Sequence, residues 1–270
     1  MRVRAIVAYD GTGYSGFQRQ ANAPTIQEAL EQTLASLTTH PTPVIAAGRT
    51  DAGVHACGQV IAFEPQWRHD WAQLQRGMNA LLPDQIAVRG LEPTEEAFHP
   101  RFDARRRRYR YYIYRAPVRN PWIHRYSLHV TGELAVTEMH LAAGMLVGEH
   151  DFWAFGSPPQ GDNSVRQVFV ARWETPAPDW LVFEIQANAF LYRMVRMLVG
   201  TLLRVGTGSL TVGEFEDLFQ NRDRARAGPA VAAKGLVLDS VTYADWSSDG
   251  FDYLLTQRCK GTAEERQDAA

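Results

Sequence analysis

The sequence predicts an α+β chain built as two similar α/β halves, and three observations carry that prediction. Apolar periodicity through the first 91 residues reads β-α-β-β-α-β. After a run of arginines the same alternation resumes, although no stretch of sequence repeats. No apolar run approaches the ~20 residues of a membrane-crossing helix, so the apolar segments are those of a folded core. The division falls at residues 1–104 and 105–250, with residues 251–270 as a polar, solvated tail.

A first strand covers residues 2–9. The loop behind it holds Gly11, Gly13 and Gly16, formally a G-x-G-x-x-G, but the residues from Phe17 to Pro24 make a poor helix start. That excludes a dinucleotide site, which needs those glycines to open a helix. Thr25 and Glu28 have the spacing of a reciprocal cap, and Ile26, Ala29, Leu30, Leu34 and Leu37 share one face of the helix they start. Val44, Ile45, Ala46 and Ala47 read as a short buried strand and residues 59–63 as another. A helix over 70–81 buries Trp71, Leu74 and Met78, and Pro83 separates it from a strand over 86–91. The second half reads as a strand over 109–115, a helix over 137–146, strands over 167–174 and 180–187, and an apolar helix over 190–200. A short helix capped by Thr211 and Glu214 and a last strand over 236–243 complete it.

Formal net charge is −2, which argues against a surface coated with positive charge for nucleic acid. The distribution argues otherwise. Eight arginines and a single acid, Asp103, lie between residues 101 and 119, and Arg105, Arg106, Arg107 and Arg108 lead into Tyr109, Arg110, Tyr111, Tyr112, Ile113, Tyr114 and Arg115. Aromatics and arginines interleaved along a strand suit a polyanion with unstacked bases; the alternative is a solvated face. Cys57 and Cys259 are too far apart for a disulfide framework and have no metal-ligand spacing, and His55 has no further ligand partners beyond Cys57. Met1, Arg2, Val3 and Arg4 enter the first strand without a signal-peptide layout, so the cytoplasm is the expected compartment.

Chemistry concentrates in the connection between the strands at 44–47 and 59–63. There a lone carboxylate, Asp51, stands among Gly48, Arg49, Thr50, Ala52, Gly53, Val54, His55 and Ala56. Two readings fit the residues alone: Arg49 and Asp51 cap a turn, or Asp51 is a reagent on a rigidly held loop. A second anomaly is the apolar helix, which carries Arg193 and Arg196, three apart and so on one face. A guanidinium near a core needs a carboxylate or a route to solvent. Asp51 is the expected partner of Arg196, with snorkelling or a nearby glutamate as the alternative.

The string from Gly48 to Ala56 closely resembles the signature of the TruA-type tRNA pseudouridine synthases. Further matches to that family are Gly16-Phe17-Gln18-Arg19-Gln20, Arg108-Tyr109-Arg110-Tyr111, Asn163-Ser164-Val165-Arg166, Asn188-Ala189-Phe190, Met194-Val195-Arg196 and Lys234-Gly235-Leu236-Val237-Leu238, in the right order over residues 2–245. The resemblance implies two α+β halves whose mainly antiparallel sheets join across a basic cleft, the pseudouridine synthase fold. It implies isomerisation of uridine to pseudouridine at tRNA positions 38, 39 and 40 in the anticodon stem-loop, by a homodimer without metal or organic cofactor. Asp51 is then the catalytic carboxylate, a nucleophile or base, and Arg196 its contact. Tyr109 lies against the everted uracil, with core packing as the alternative for that ring, and Arg49 fills the vacated space or holds phosphate. Arg166 and Lys234 are further RNA or pocket contacts. Met197 stands where the family often has Asn, and residues 191–193 vary, which leaves Arg193 without an implied role. A non-catalytic RNA-binding or chaperone module carried by the basic stretch is the competing class, and a hydrolase is disfavoured because no second carboxylate occupies a comparable motif.

Overall fold

The computed structural model describes residues 1–159 and 161–249; the expected tail over 251–270, with Cys259 in it, lies outside the described residues. The elements are β1 (Val3–Tyr9), α1 (Ile26–Thr38), β2 (Ile45–Ala46), β3 (His55–Phe63), α2 (Trp71–Leu81), β4 (Ile86–Pro93), β5 (Arg106–Arg115), β6 (Leu128–Val130), α3 (Val136–Gly144), β7 (Gly148–Asp151), β8 (Val165–Ala177), β9 (Trp180–Ala187), α4 (Met194–Gly206), α5 (Val212–Gln220) and β10 (Leu236–Thr242), with 3-10 turns at Trp153–Phe155 and Ala233–Gly235. The chain is therefore mixed α+β.

All ten strands join one sheet in the order β4-β1-β3-β10-β5-β9-β8-β7, with β2 beside β3 and β6 beside β5. Pairing is antiparallel except where β10 lies parallel to β3 and β6 parallel to β5. The last strand thus returns to the middle of the sheet, pairing Val237 with His55 and Leu238 with Tyr109. Two large apolar clusters form around it, besides a small one of Cys57, Tyr112, Val182 and Val237. One packs α1 and α2 against β1, β3 and β4, and the other packs α3, α4 and α5 against β5, β8 and β9. Tyr109 touches both. Every residue of β3 is buried, as a strand covered on both faces requires. At its Gly58 an added Cβ would stand 2.3 Å from the Asp239 carbonyl oxygen, so only glycine lets β10 approach.

Several expectations are refined. Of the four residues read as a strand, only Ile45 and Ala46 pair, and Ile45 is exposed while Val44 and Ala47 are buried. Thr25 caps α1 by accepting from the Glu28 amide, but Glu28 turns to Arg19 instead of reaching back; the reciprocal cap is complete at Thr211 and Glu214. The apolar helix begins at Met194, not at residue 190, and runs on to Gly206. Arg193 precedes it in a left-handed conformation, φ 61°, so it does not share a helical face with Arg196 and lies exposed over the Tyr192 ring. Side-chain spacing cannot reveal a left-handed residue at a helix start.

Candidate active site

The Asp51 loop is clamped from beneath. Gln59, a polar residue inside an apolar strand, donates from Nε2 to the Gly48 carbonyl at 2.7 Å. The Tyr9 hydroxyl and Thr50 Oγ1 are 2.8 Å apart, and burial pushes the Tyr9 phenol up to about 12. Residues 10–17, in the loop behind β1, wrap the other side: the Phe17 amide donates to Thr50 O at 3.1 Å and the Gly53 amide to Tyr14 O at 3.3 Å. Gly16 takes φ 93°, and a Cβ there would stand 2.6 Å from Thr50 O. Asp51 is left at the loop's crest with 21% of its side chain exposed.

Across from it, Arg196 projects from the first turn of α4 and donates from Nη1 to Asp51 Oδ2 at 3.0 Å, with 15% of its side chain exposed. Its Nε donates to Val231 O at 2.7 Å, and the Val231 amide donates back to Arg196 O at 3.2 Å. The guanidinium is thus aimed before any ligand arrives. The expected partner of Arg196 is the partner found, through a charge-assisted hydrogen bond.

Tyr109 is half-buried on β5, edge-on to Phe190 with ring centroids 5.0 Å apart. Burial, with the neighbouring Tyr9 and Asp51 charges, raises its phenol well above the ordinary range. The ring packs against both large apolar clusters, the core-packing alternative for it. Arg49 is exposed and makes no hydrogen bond or ion pair with the described residues. Arg166 is not brought to the pair by any contact; it turns back on its own strand, donating to Asn163 O and Val165 O at 3.0 and 2.6 Å. Lys234 sits in the turn after Val231, and its carbonyl lies 3.2 Å from His55 Nε2.

His55, set aside in the sequence as a ligand without partners, is structural, although its partners were not legible. Its ring is buried, its Nδ1 lies 3.1 Å from both Asp10 Oδ1 and the Gly11 amide, and Tyr126 donates to the other oxygen of Asp10 at 2.9 Å. It therefore staples residues 10–11, the end of the Asp51 loop and the turn that carries Lys234. Burial lowers the His55 pKa, and at Asp10 the hydrogen bonds from Thr12 and Tyr126 and the His55 charge outweigh burial and lower it too. A polar residue inside an apolar strand was the available signal, as for Gln59.

The arginine run is mostly committed to the protein. Arg107 donates to four carbonyls, of Ala104, Asn188, Ala47 and Arg101. Arg108 pairs with Asp239 at 2.5 Å and with Asp249, and Arg110 lies 3.5 Å from Asp239 and 3.8 Å from the buried Glu184. Arg106 stacks on Phe169, while Arg105 and Arg119 are exposed. A run so occupied cannot serve as a free polyanion-binding strand. Among the described residues no group of three or more His, Cys, Asp or Glu could hold a metal ion, and no helix is long and apolar enough to cross a membrane.

Comparison with known proteins bears on the same residues. A family model described as tRNA pseudouridine synthase matches residues 5–103 and 142–244, which include Asp51 and Arg196. The chain is 40% identical over 246 residues to tRNA pseudouridine synthase A of Streptococcus thermophilus strain CNRZ 1066, across 90% of this chain and 99% of that one. It is 42% identical over 245 residues to the protein of that name from Chloroflexus aurantiacus strain J-10-fl, across 89% and 88% of the two chains. For that from Shewanella sp. strain MR-4 the figures are 41% over 247 residues, 91% and 94%. With a family match on both sides of the acid–guanidinium contact and relatives aligned over nearly their whole length, the chain belongs to the tRNA pseudouridine synthase family.

Proposed function

We propose that the chain isomerises uridine to pseudouridine at positions 38, 39 and 40 of the tRNA anticodon stem-loop, with Asp51 as the reacting carboxylate. One observation carries the assignment of the acid: Asp51, on a clamped loop, meets Arg196 at 3.0 Å from a helix 145 residues away in sequence. The reaction keeps every atom of the substrate. The C1′–N1 bond breaks, the uracil turns, C5 bonds to C1′, and the proton lost from C5 is matched by one gained at N1. A fixed carboxylate serves this by attacking the sugar or the base, or by taking the C2′ proton.

The uridine must leave its stack first, which costs a few kcal/mol. Tyr109 is the surface proposed to receive the base, and exposed Arg49 the group proposed to fill its place or hold phosphate. Arg166 and Lys234 are proposed as outlying RNA contacts. The proposed arrangement has the two halves, 1–104 and 105–250, flanking a basic cleft in the pseudouridine synthase fold, with a homodimer reading one tRNA by shape and phosphate in the cytoplasm. Isomerising a base in place consumes no cofactor.

Chemical mapping of pseudouridine in tRNA incubated with the purified chain tests this reading. The expected result is product at positions 38 to 40. RNA bound but unmodified would instead be the behaviour of a non-catalytic RNA-binding protein.

A further inference from the structure

The proposed tRNA reading leaves one cluster unused. The segment 116–127, between β5 and β6, carries Arg119, Trp122, His124 and Arg125, all exposed, and Trp122 is 90% exposed. The segment is nonetheless built. The Trp122 amide donates to Asn120 Oδ1 at 3.0 Å, the Tyr126 amide to Ile123 O at 2.9 Å, and Ser127 Oγ to Ile123 O at 3.0 Å. Its end is tied to the catalytic side of the molecule, because Tyr126 donates to Asp10 at 2.9 Å and its ring lies 5.2 Å from that of His55.

Facing it is Lys234, whose Nζ lies 3.2 Å from Nδ1 and 3.0 Å from Nε2 of His124. An ammonium equidistant from two ring nitrogens is poorly aligned with either, so the contact is close without being a good hydrogen bond. The Lys234 charge, and behind it burial and the Arg119 charge, lower the pKa of His124, and burial lowers that of Lys234. Lys234 makes no ion pair among the described residues, so its ammonium, close to the His124 ring, is short of an anion.

The position is informative. Lys234 follows Val231, which accepts from Arg196, by three residues. A chain of that length spans at most about 11 Å, or about three nucleotides of strand at ~3.4 Å each. A large ring left in water two residues before His124, which Lys234 meets without an acid partner, matches what single-stranded RNA offers, a phosphate with an unstacked base nearby.

The geometry points to a second RNA-binding site, in which a phosphodiester of the tRNA sits between Lys234 and His124 and an adjoining unpaired base lies on Trp122. The site rests on the tRNA reading and extends it to nucleotides beside the target. Arg119 and Arg125 supply further charge on the approach.

The test is tRNA affinity of the full chain against salt concentration. Each lost phosphate contact reduces the slope of log K on log salt by about 0.7 to 0.9, so Lys234→Gln shows that reduction and Lys234→Arg restores the slope. Trp122→Ala weakens binding about five-fold or more without changing the slope, as loss of one stacked base does. An unchanged slope in Lys234→Gln, or a Trp122→Ala variant with unchanged affinity, overturns the inference. So does a Trp122→Ala variant that changes the oligomeric state and not RNA affinity, since the ring would then cover a second copy of the chain. Pseudouridine formation by the wild-type preparation is measured alongside: if it occurs while the slope stays unchanged, the second site fails and the family reaction stands.

Discussion

Replacing Arg196 by Met removes the cation that meets Asp51 and the donor that meets Val231 O, at 3.0 and 2.7 Å. Losing one partner of a fully buried ion pair costs about 3–5 kcal/mol. Here the two side chains keep 15% and 21% of their exposure, so water partly screens the orphaned carboxylate and about 2–3 kcal/mol is the expected loss. If that loss falls wholly on the transition state, the single-turnover rate of pseudouridine formation drops about 30- to 150-fold. Arg196→Lys keeps the charge but cannot satisfy two partners, and should fall between the variant and wild type. The assay is single-turnover mapping of product at saturating tRNA, with thermal unfolding alongside. A Met variant within three-fold of the wild-type rate would refute the claim that Arg196 arms the acid.

Other outcomes follow from the same structure. Gly16→Ala forces a Cβ to within 2.6 Å of Thr50 O at φ 93°, and should destabilise the chain by about 2 kcal/mol or more, read as a lowered denaturation midpoint. His55→Ala removes the staple between the Asp10 loop and the Lys234 turn and should lower both thermal stability and turnover, while His55→Gln restores part of each. The Glu184 carboxyl is buried, which alone would raise its pKa, but hydrogen bonding from Gln186 and the Arg172 and Arg110 charges hold it below its usual 4.5. Its stabilisation is therefore present above pH 4.5 and is lost as pH falls through the lowered value, so Glu184→Gln should flatten acid unfolding in that window, as followed by circular dichroism against pH.

What sequence revealed depended on whether the interaction was local. The amphipathic helices, the longer strands and the Thr211 cap are set by spacing within a few residues and lie close to where periodicity puts them, whereas the short strands β6 and β7 went unread. The partner of Arg196 was also legible, because a guanidinium beside an apolar helix face demands an acid and the motif resemblance singled out Asp51. The place of β10 between β3 and β5 was not, since it depends on pairing Val237 with His55 across the whole chain. For the same reason the arginine run looked freer than it is. Its acids, Asp239 and Glu184, arrive on β10 and β9, more than 70 residues downstream. His55, Gln59 and Tyr9 shape the Asp51 loop through buried hydrogen bonds whose partners no spacing rule connects.

The most direct measurement is pseudouridine formation by Asp51→Asn, an exchange that keeps the shape of the side chain and removes its charge. With tRNA affinity determined on the same preparation, the expected result is bound tRNA and no pseudouridine under single-turnover conditions. Product formed at the wild-type rate would show that the carboxylate held by Arg196 is not the group that reacts.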